Sequence, residues 1–488
     1  MSAHPVSFYE RSDRALADAA LRAKVHAATG RLLSGREAGF AAFPVGDAVR
    51  DEARRIRAGV VARLDEYLEQ FADNVERRGG HVHWAPTAAD ARRIVADIAG
   101  AHGVRTAVKS KSMVSEEIEL NAALERAGVR VVETDLGEWV VQLAGDHPSH
   151  IIAPIIHKSK DDVAALFRVA LGATESDVAD VPHMAAFARR RLRAEFLRAD
   201  MGVSGGNFGV AATGSLCLVT NEGNGRLTTT VPRVHVALMG IERIVPTPAD
   251  LGVMLQVLAR SATGQKLSVY SNIITGPRRG RGAAEGAGAE PDGPEELHIV
   301  LVDNGRSSLV GTDLAEILYC IRCGACLNVC PVYRAIGGHA YGTVYPGPVG
   351  SVLTPALRGL DEFGALPHAS SLCGACREIC PVRIDLPRML LALRARDTAA
   401  GNAPPWIRHG LWLYAQLATR PRLFRAATWI GRRLARLGAD EGWIRRLPGP
   451  LHGWTDHRDF PAPAARTFTA ARRLGQRIAE NCKAPRRG

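Results

Sequence analysis

Seven of the nine cysteines fall between Cys320 and Cys380, leaving Cys217 and Cys482 apart. They form two runs, Cys320-x2-Cys323-x2-Cys326-x3-Cys330-Pro331 and Cys373-x2-Cys376-x3-Cys380-Pro381. A cubane iron–sulfur cluster explains this spacing, because two-residue gaps let successive thiolates of one curled loop reach different irons. The cysteine after the three-residue gap sits on a helix and points away, toward a second cluster. The proline that follows removes a backbone donor and turns the chain. Gly324 and Gly374 let the backbone pass close to sulfide. Paired C-x2-C also binds zinc, but zinc needs only four ligands at wider spacing. Four cysteines in one short loop ending in Cys-Pro, followed by a partial copy, select the ferredoxin-type cluster.

The partial copy has a consequence. With crossed ligation, Cys320, Cys323, Cys326 and Cys380 complete one four-iron cluster, while Cys330, Cys373 and Cys376 leave a second with three protein thiolates. A full second motif would carry cysteine where Ser370 stands. The fourth iron takes Ser370, His368, a remote group, a partner's residue or solvent, or that cluster has only three irons. Spacing alone leaves all of these open.

The elements that must hold these residues are legible in outline. Asp47–Arg78 places Ile56, Val60, Leu64, Leu68 and Phe71 at helical spacing. Strand-like runs follow at Arg105–Val108, Val129–Glu133, Ile151–Ile156, Leu216–Thr220, Val234–Met239, Leu267–Ile274 and His298–Asp303. Helical patterns lie between several of them, one opening at Thr87 as N-cap and others over Glu117–Ala127, Asp161–Leu171 and Val181–Ala199. The alternation predicts an α/β unit with a mainly parallel sheet. The expected domains are a helical segment 1–64, the α/β domain 65–303, a cysteine domain 304–400 and a basic region 401–488. Within the α/β domain, Pro277–Pro294 is glycine-rich and lacks large apolar residues, so it reads as a loop.

Composition excludes several classes. The 488 residues are 46% hydrophobic and 23% charged, an ordinary globular balance. The net charge of +12 resides wholly in residues 401–488, where 17 Lys/Arg face 5 Asp/Glu. Nucleic-acid binding by the whole protein is therefore a poor inference, and none is expected. The tail mixes Trp406, Trp412, Trp429, Trp443 and Trp454 with arginines, a composition suited to a partner surface or an anionic membrane face. Met1–Leu16 has no apolar signal core and no stretch is long enough to span a bilayer, so the expected compartment is the cytoplasm; the tail is expected to dock a protein partner, with peripheral contact at the inner membrane face as the alternative.

In the α/β unit, Lys109 and Lys111 follow a strand at the carboxyl end, where open parallel sheets bind ligands. They could hold a small carboxylate, helped by the N–H groups of Gly205–Gly209. Cys217, within an apolar strand, reads as core, and His150, His157 and His235 flank strands as packed side chains. No Ser/His/Asp set, Walker loop or dinucleotide fingerprint supports a flavin or nicotinamide site.

Three features together resemble the lactate utilization protein B (LutB) family. One is the phrases Lys109-Ser110-Lys111-Ser112-Met113, Thr134-Asp135-Leu136-Gly137-Glu138, Gly205-Gly206-Asn207-Phe208-Gly209, Thr213-Gly214-Ser215-Leu216 and Thr220-Asn221-Glu222-Gly223-Asn224-Gly225, which resemble a LUD domain. The others are the cysteine pair, with its three-cysteine second run after Ser370-Ser371-Leu372, and the basic C-terminal region. The resemblance implies an electron-transfer subunit of a complex oxidising L-lactate to pyruvate, with a LutA-like cysteine-rich protein and a LutC-like LUD protein as partners. It implies a LUD fold akin to sugar-phosphate isomerases and CoA transferases, and an α-helical ferredoxin-type cluster domain. By that analogy Glu222 stands roughly where CoA transferases hold a nucleophilic glutamate. The competing expectations are a ligand-processing LUD enzyme with regulatory clusters, and a redox-sensing scaffold.

Overall fold

The structure is a computed structural model that describes residues 7–278, 293–402, 404–456, 458–464, 467–468 and 471–472. The chain forms two compact units, Met1–Ala399 and Ala400–Gly488.

Four helices open the first unit: α1 (Phe8–Ala17), α2 (Ala19–Ala41), α3 (Gly46–Ala62) and α4 (Leu64–Arg77). Ser7 caps α1 in a reciprocal box with Glu10, and Asp18 caps α2 through the Leu21 N–H. The single helix expected over Asp47–Arg78 is two, parted at Arg63, whose φ/ψ of −134°/46° is non-helical. The break lets Ile56 and Val61 join one core while Leu64, Leu68, Phe71 and Val75 pack under the sheet in another.

Ten strands build two sheets. They are β1 (His81–Ala85), β2 (Thr106–Lys109), β3 (Arg130–Glu133), β4 (Met201–Gly205), β5 (Phe208–Val210), β6 (Ser215–Thr220), β7 (Val234–Gly240), β8 (Ile244–Val245), β9 (Tyr270–Ile274) and β10 (Glu296–Val302). The larger sheet runs β1-β10-β7-β4-β2-β3, and every neighbouring pair in it is parallel. Val234, Val236 and Leu238 of β7 enter one core, with Val95, Ile98 and Leu124 of the covering helices, while Ala237 and Met239 enter the other. Both faces are thus covered, as a parallel sheet requires. The smaller sheet, β8-β5-β6-β9, is mixed, with β6 antiparallel to both neighbours. Strands are joined by helices such as Ala88–Ala101, which Thr87 caps through the Asp90 N–H.

The expected set of strands is revised. Ile151–Ile156 is not a strand: Pro154 has no N–H to give a ladder, and the Ile152 and Ala153 N–H groups donate to Nδ1 of His150 at 3.1 and 3.2 Å. Conversely β4, with Gly202 and Gly205, is outside the expected set of strands, as are β1, β5 and β8, yet it lies in mid-sheet between β7 and β2. Gly202 is demanded there, since a Cβ would fall 1.8 Å from the Thr228 carbonyl oxygen. Of the loop expected over Pro277–Pro294, all but the ends lies outside the described residues.

Residues beyond β10 form short helices around the cysteines, including Ala325–Val329, Pro331–Ile336, Gly347–Arg358, Ala375–Ile379 and Leu386–Ala399. Their core, with Tyr333, Tyr341, Leu353 and Met389, is continuous with Val25, Ile56, Met254 and Leu258 from the preceding elements. The second unit holds helices Pro405–Ala418 and Pro421–Leu437, parted at Pro421, and a pairing of Trp443–Ile444 with Phe460–Pro461. Neither of its helices has a buried residue. Among the described residues no helix is long and apolar enough to cross a membrane.

Candidate iron–sulfur centre and adjoining cavity

Each cysteine run is a tight loop entering a short helix. Arg322 and Gly324 hold φ of +59° and +75° in the first run, and Leu372 and Gly374 hold +56° and +85° in the second. Left-handed backbone on both sides of Cys323 and Cys373 curls the loops so that N–H groups turn inward. The Arg322 N–H reaches Sγ of Cys320 at 3.4 Å. Backbone N–H groups of Val332 and Tyr333 face the Cys330 sulfur, and those of Val382 and Ile384 face that of Cys380.

The fold sorts the thiols into two groups, and the last cysteine of each run crosses over. Cys320, Cys323, Cys326 and Cys380 line one small cavity whose other walls are Ile151, Val349, Pro381 and Leu386. Cys330 instead lies against Cys373, and Cys376 against Cys330 and Cys373. Cys326 and Cys380 also sense Cys376, so the groups adjoin. Burial, then neighbouring sulfurs, pushes Cys323 and Cys376 up to about 12, and burial pushes Cys380 up to about 11. None of the eight described cysteines is in a disulfide. Four thiols around one apolar cavity, with N–H groups facing sulfur, fit the donor requirement of a cubane cluster, and metal bonding would remove the cost of ionising such buried thiols. Cys217 is fully buried in β6 and joins neither group.

Arginines from remote elements hold the backbone on both segments that carry the first thiol group. Arg36 donates to the Ile379 carbonyl at 2.8 Å, Arg50 to that of Cys380 at 2.9 Å, and Arg57 to that of Leu318 at 2.7 Å. Arg243 donates to the Cys320 carbonyl at 2.7 Å. These cations surround the group that would carry a cluster's negative charge, a recognised lever on its potential. Sequence reading missed them. The available signal was the spacing Arg50, Arg54, Arg57 on α3, one helical face shared with apolar Val61.

Against the same loop lies a cavity of about 310 Å³ at the carboxyl end of the parallel strands. Lys111, Glu222, Asn224, Glu242, Arg243 and Arg322 line it with Gly205 and Gly206. Ile151 and Arg322 line both this cavity and the one ringed by cysteines. Arg322 stacks on the Tyr345 ring at 4.5 Å and reaches Glu242 at 3.5 Å, while its Nη1 is buried with no hydrogen-bond partner. Oδ1 of Asn224 is likewise buried and unpartnered. A donor and an acceptor in a partly apolar wall suit a small polar anion.

The lysines and glutamate expected to bind substrate part company. Lys109 is buried, paired with Glu133 at 2.7 Å and Ser115 Oγ at 3.0 Å, and lies outside the cavity wall. Lys111 lines the cavity but is paired with Glu138. Glu222 stands at the exposed rim and accepts the Leu136 N–H at 3.2 Å; burial of its carboxyl and the Asp135 charge push it up to about 7. His150 and His235 are buried, and burial holds them down to about 4 and about 3, so both are neutral.

Beneath the cavity, Arg306 is fully buried and donates to Glu117 at 2.9 and 2.6 Å, with its Nε 2.9 Å from Glu242. Tyr345 and Asn304 also donate to Glu117, at 2.6 and 2.8 Å. This network ties the ends of the parallel strands to Arg322 and hence to the cysteine loop.

Comparison with known families divides the chain in three. Residues 68–302 match the LUD domain, 316–384 the 4Fe-4S dicluster domain, and 402–475 the C-terminal region of lactate utilisation protein B. Lactate utilization protein B of Shouchella clausii is 44% identical over 467 residues, covering 94% of this chain and 95% of its own. The protein of that name from Oceanobacillus iheyensis is 42% identical over 95% of each chain. That from Bacillus pumilus is 44% identical over 95% of this chain and 96% of its own. With a LUD sheet, an iron–sulfur domain and the C-terminal region in one order, and this identity along nearly the whole length, the chain belongs to the lactate utilization protein B family.

Proposed function

We propose that this chain is the iron–sulfur electron-transfer subunit of a complex that oxidises L-lactate to pyruvate, and so serves growth on lactate. Two four-iron clusters fit the donor sets, one on Cys320, Cys323, Cys326 and Cys380 and the other on Cys330, Cys373 and Cys376 with a further ligand. When bound, such clusters accept and release single electrons. The observation that carries the reading is Arg322, which belongs to the first cysteine loop and also forms the wall of the LUD cavity. A carboxylate on its free Nη1 would lie within one residue of that loop. Cys373, in the other group, is exposed, which provides an outlet toward a partner.

In this reading residues 65–303 present the cavity, 304–400 hold the clusters, and 1–64 brace the segments carrying the first thiol group with Arg36, Arg50 and Arg57. The arginine- and tryptophan-rich region 401–488 docks the cysteine-rich and LUD-domain partners, since its exposed Trp412, Trp429 and Leu434 suit a protein surface. The test is anaerobic co-purification of the native complex, followed by L-lactate addition while cluster absorbance is recorded. Bleaching by L-lactate, diminished in an Arg322→Gln complex, is expected. Stoichiometric zinc in place of iron, or reducible clusters that L-lactate leaves untouched in the intact complex, would overturn the proposal.

A further inference from the structure

The second cysteine run lacks its first ligand in sequence, but its backbone repeats the first run position for position. Leu372 matches Arg322 at φ of +56° and +59°, and Gly374 matches Gly324 at +85° and +75°. Ala375–Ile379 then matches Ala325–Val329 as a five-residue helix. The closing cysteines agree as well, with φ/ψ of −74°/119° at Cys330 and −63°/122° at Cys380, each followed by proline.

The copy extends to the hydrogen bond that marks the first ligand. In the first run the N–H of Arg322 donates to Sγ of Cys320, two residues back, at 3.4 Å. In the second run the N–H of Leu372 donates to Oγ of Ser370, also two residues back, at 3.1 Å. The Ser370 hydroxyl oxygen therefore occupies the place of the first thiolate. Its segment is fixed by Arg394, which donates to the Ser370 and Pro367 carbonyls, both at 2.9 Å. His368, the neighbouring candidate, is exposed, and its Nε2 lies 3.8 Å from Asp397.

We infer that Ser370 Oγ is the fourth protein ligand of the second cluster, which makes one of its irons oxygen-bound while the first cluster is held by sulfur alone. The inference rests on the two-cluster reading above. An oxygen donor binds iron less tightly than thiolate, so this iron is the one most readily lost and the one at which the two clusters differ in potential.

The test uses the full chain purified anaerobically with ⁵⁷Fe, and reads Mössbauer and electron paramagnetic resonance spectra, metal content and the rate of iron loss under ferricyanide. The wild type should show one iron site with an oxygen-type signature, which becomes sulfur-type in Ser370→Cys and persists in His368→Ala. Ser370→Ala removes only the hydroxyl; it should alter the second cluster's reduced spectrum and speed the loss of one iron several-fold. Wild-type spectra and iron-loss rate in Ser370→Ala, a distinct site lost in His368→Ala instead, or a second cluster isolated only as a three-iron form would each overturn the inference. Absence of two clusters from the wild type would refute the underlying reading, a different and separable outcome.

Discussion

Arg306 is fully buried and braces two carboxylates, Glu117 and Glu242, beneath the cavity. Replacing it with methionine keeps length and apolar bulk but leaves both acids buried without their principal cation. Breaking a buried pair from one side costs about 3–5 kcal/mol, because the remaining charge is uncompensated. The Glu117 carboxyl gives a second route to the magnitude. Burial would raise it, but Arg306, Tyr345 and Asn304 outweigh burial and hold it down to about 2 from 4.5. That difference is worth about 3 kcal/mol at about 1.4 kcal/mol per unit. At about 2 cal/mol/K per residue, a 399-residue unit loses about 4–6 °C of melting temperature for 3–5 kcal/mol.

The sign with pH follows. In the wild type the Glu117 contribution is fully present above the unfolded value of 4.5 and is lost as pH falls toward 2. In Arg306→Met the unpaired buried acid moves above its ordinary value, so its penalty appears as pH rises and disappears in acid. The gap between the proteins should be widest near neutrality and shrink toward the acid side. The assay is anaerobic scanning calorimetry across that range at fixed scan rate, with visible absorption of the first cluster recorded beside it, since Glu242 also anchors Arg322. A shift below about 1 °C at neutral pH, or a gap that does not change with pH, would refute the reasoning.

Two further outcomes are expected. Cys330→Ser should damage the cluster held by Cys373 and Cys376, and Cys380→Ser the one held by Cys320, Cys323 and Cys326; matching paramagnetic resonance spectra from Cys330→Ser and Cys320→Ser would show local rather than crossed ligation. With Glu222 at about 7, its carboxyl is neutral below and charged above that pH, so pyruvate binding to the full chain should weaken as pH rises through 7. The loss should be about fivefold, taking about 1 kcal/mol for like charges roughly 4 Å apart in a wet site. Titration calorimetry on Glu222→Gln should show a flattened profile, and an unchanged slope would remove Glu222 from the site.

Iron–sulfur chemistry was legible from spacing alone because cluster ligands are local: the curl that brings Cys320, Cys323 and Cys326 together spans seven residues, and glycine and proline mark it. The parallel sheet was legible for the same reason, since strands such as β7 and β10 are apolar runs bounded by turns. Ile151–Ile156 misled because its apolar pattern hides Pro154 and a histidine that takes the ladder's N–H groups. β4 escaped notice because neighbours on both sides, not propensity, make it a strand. The arginine brace from α3, the diversion of Lys109 to Glu133 and the placing of Arg322 between cavity and cysteine loop join residues tens to hundreds of positions apart. Local spacing carries no information on such contacts, because they are decided by which faces of helices and sheets must be buried together. By itself the sequence determined the kind of cofactor, the expected grouping of its thiols and the layers of the fold; only the tertiary structure decided which cations remain free, and that the cavity and the cysteine loop share a wall.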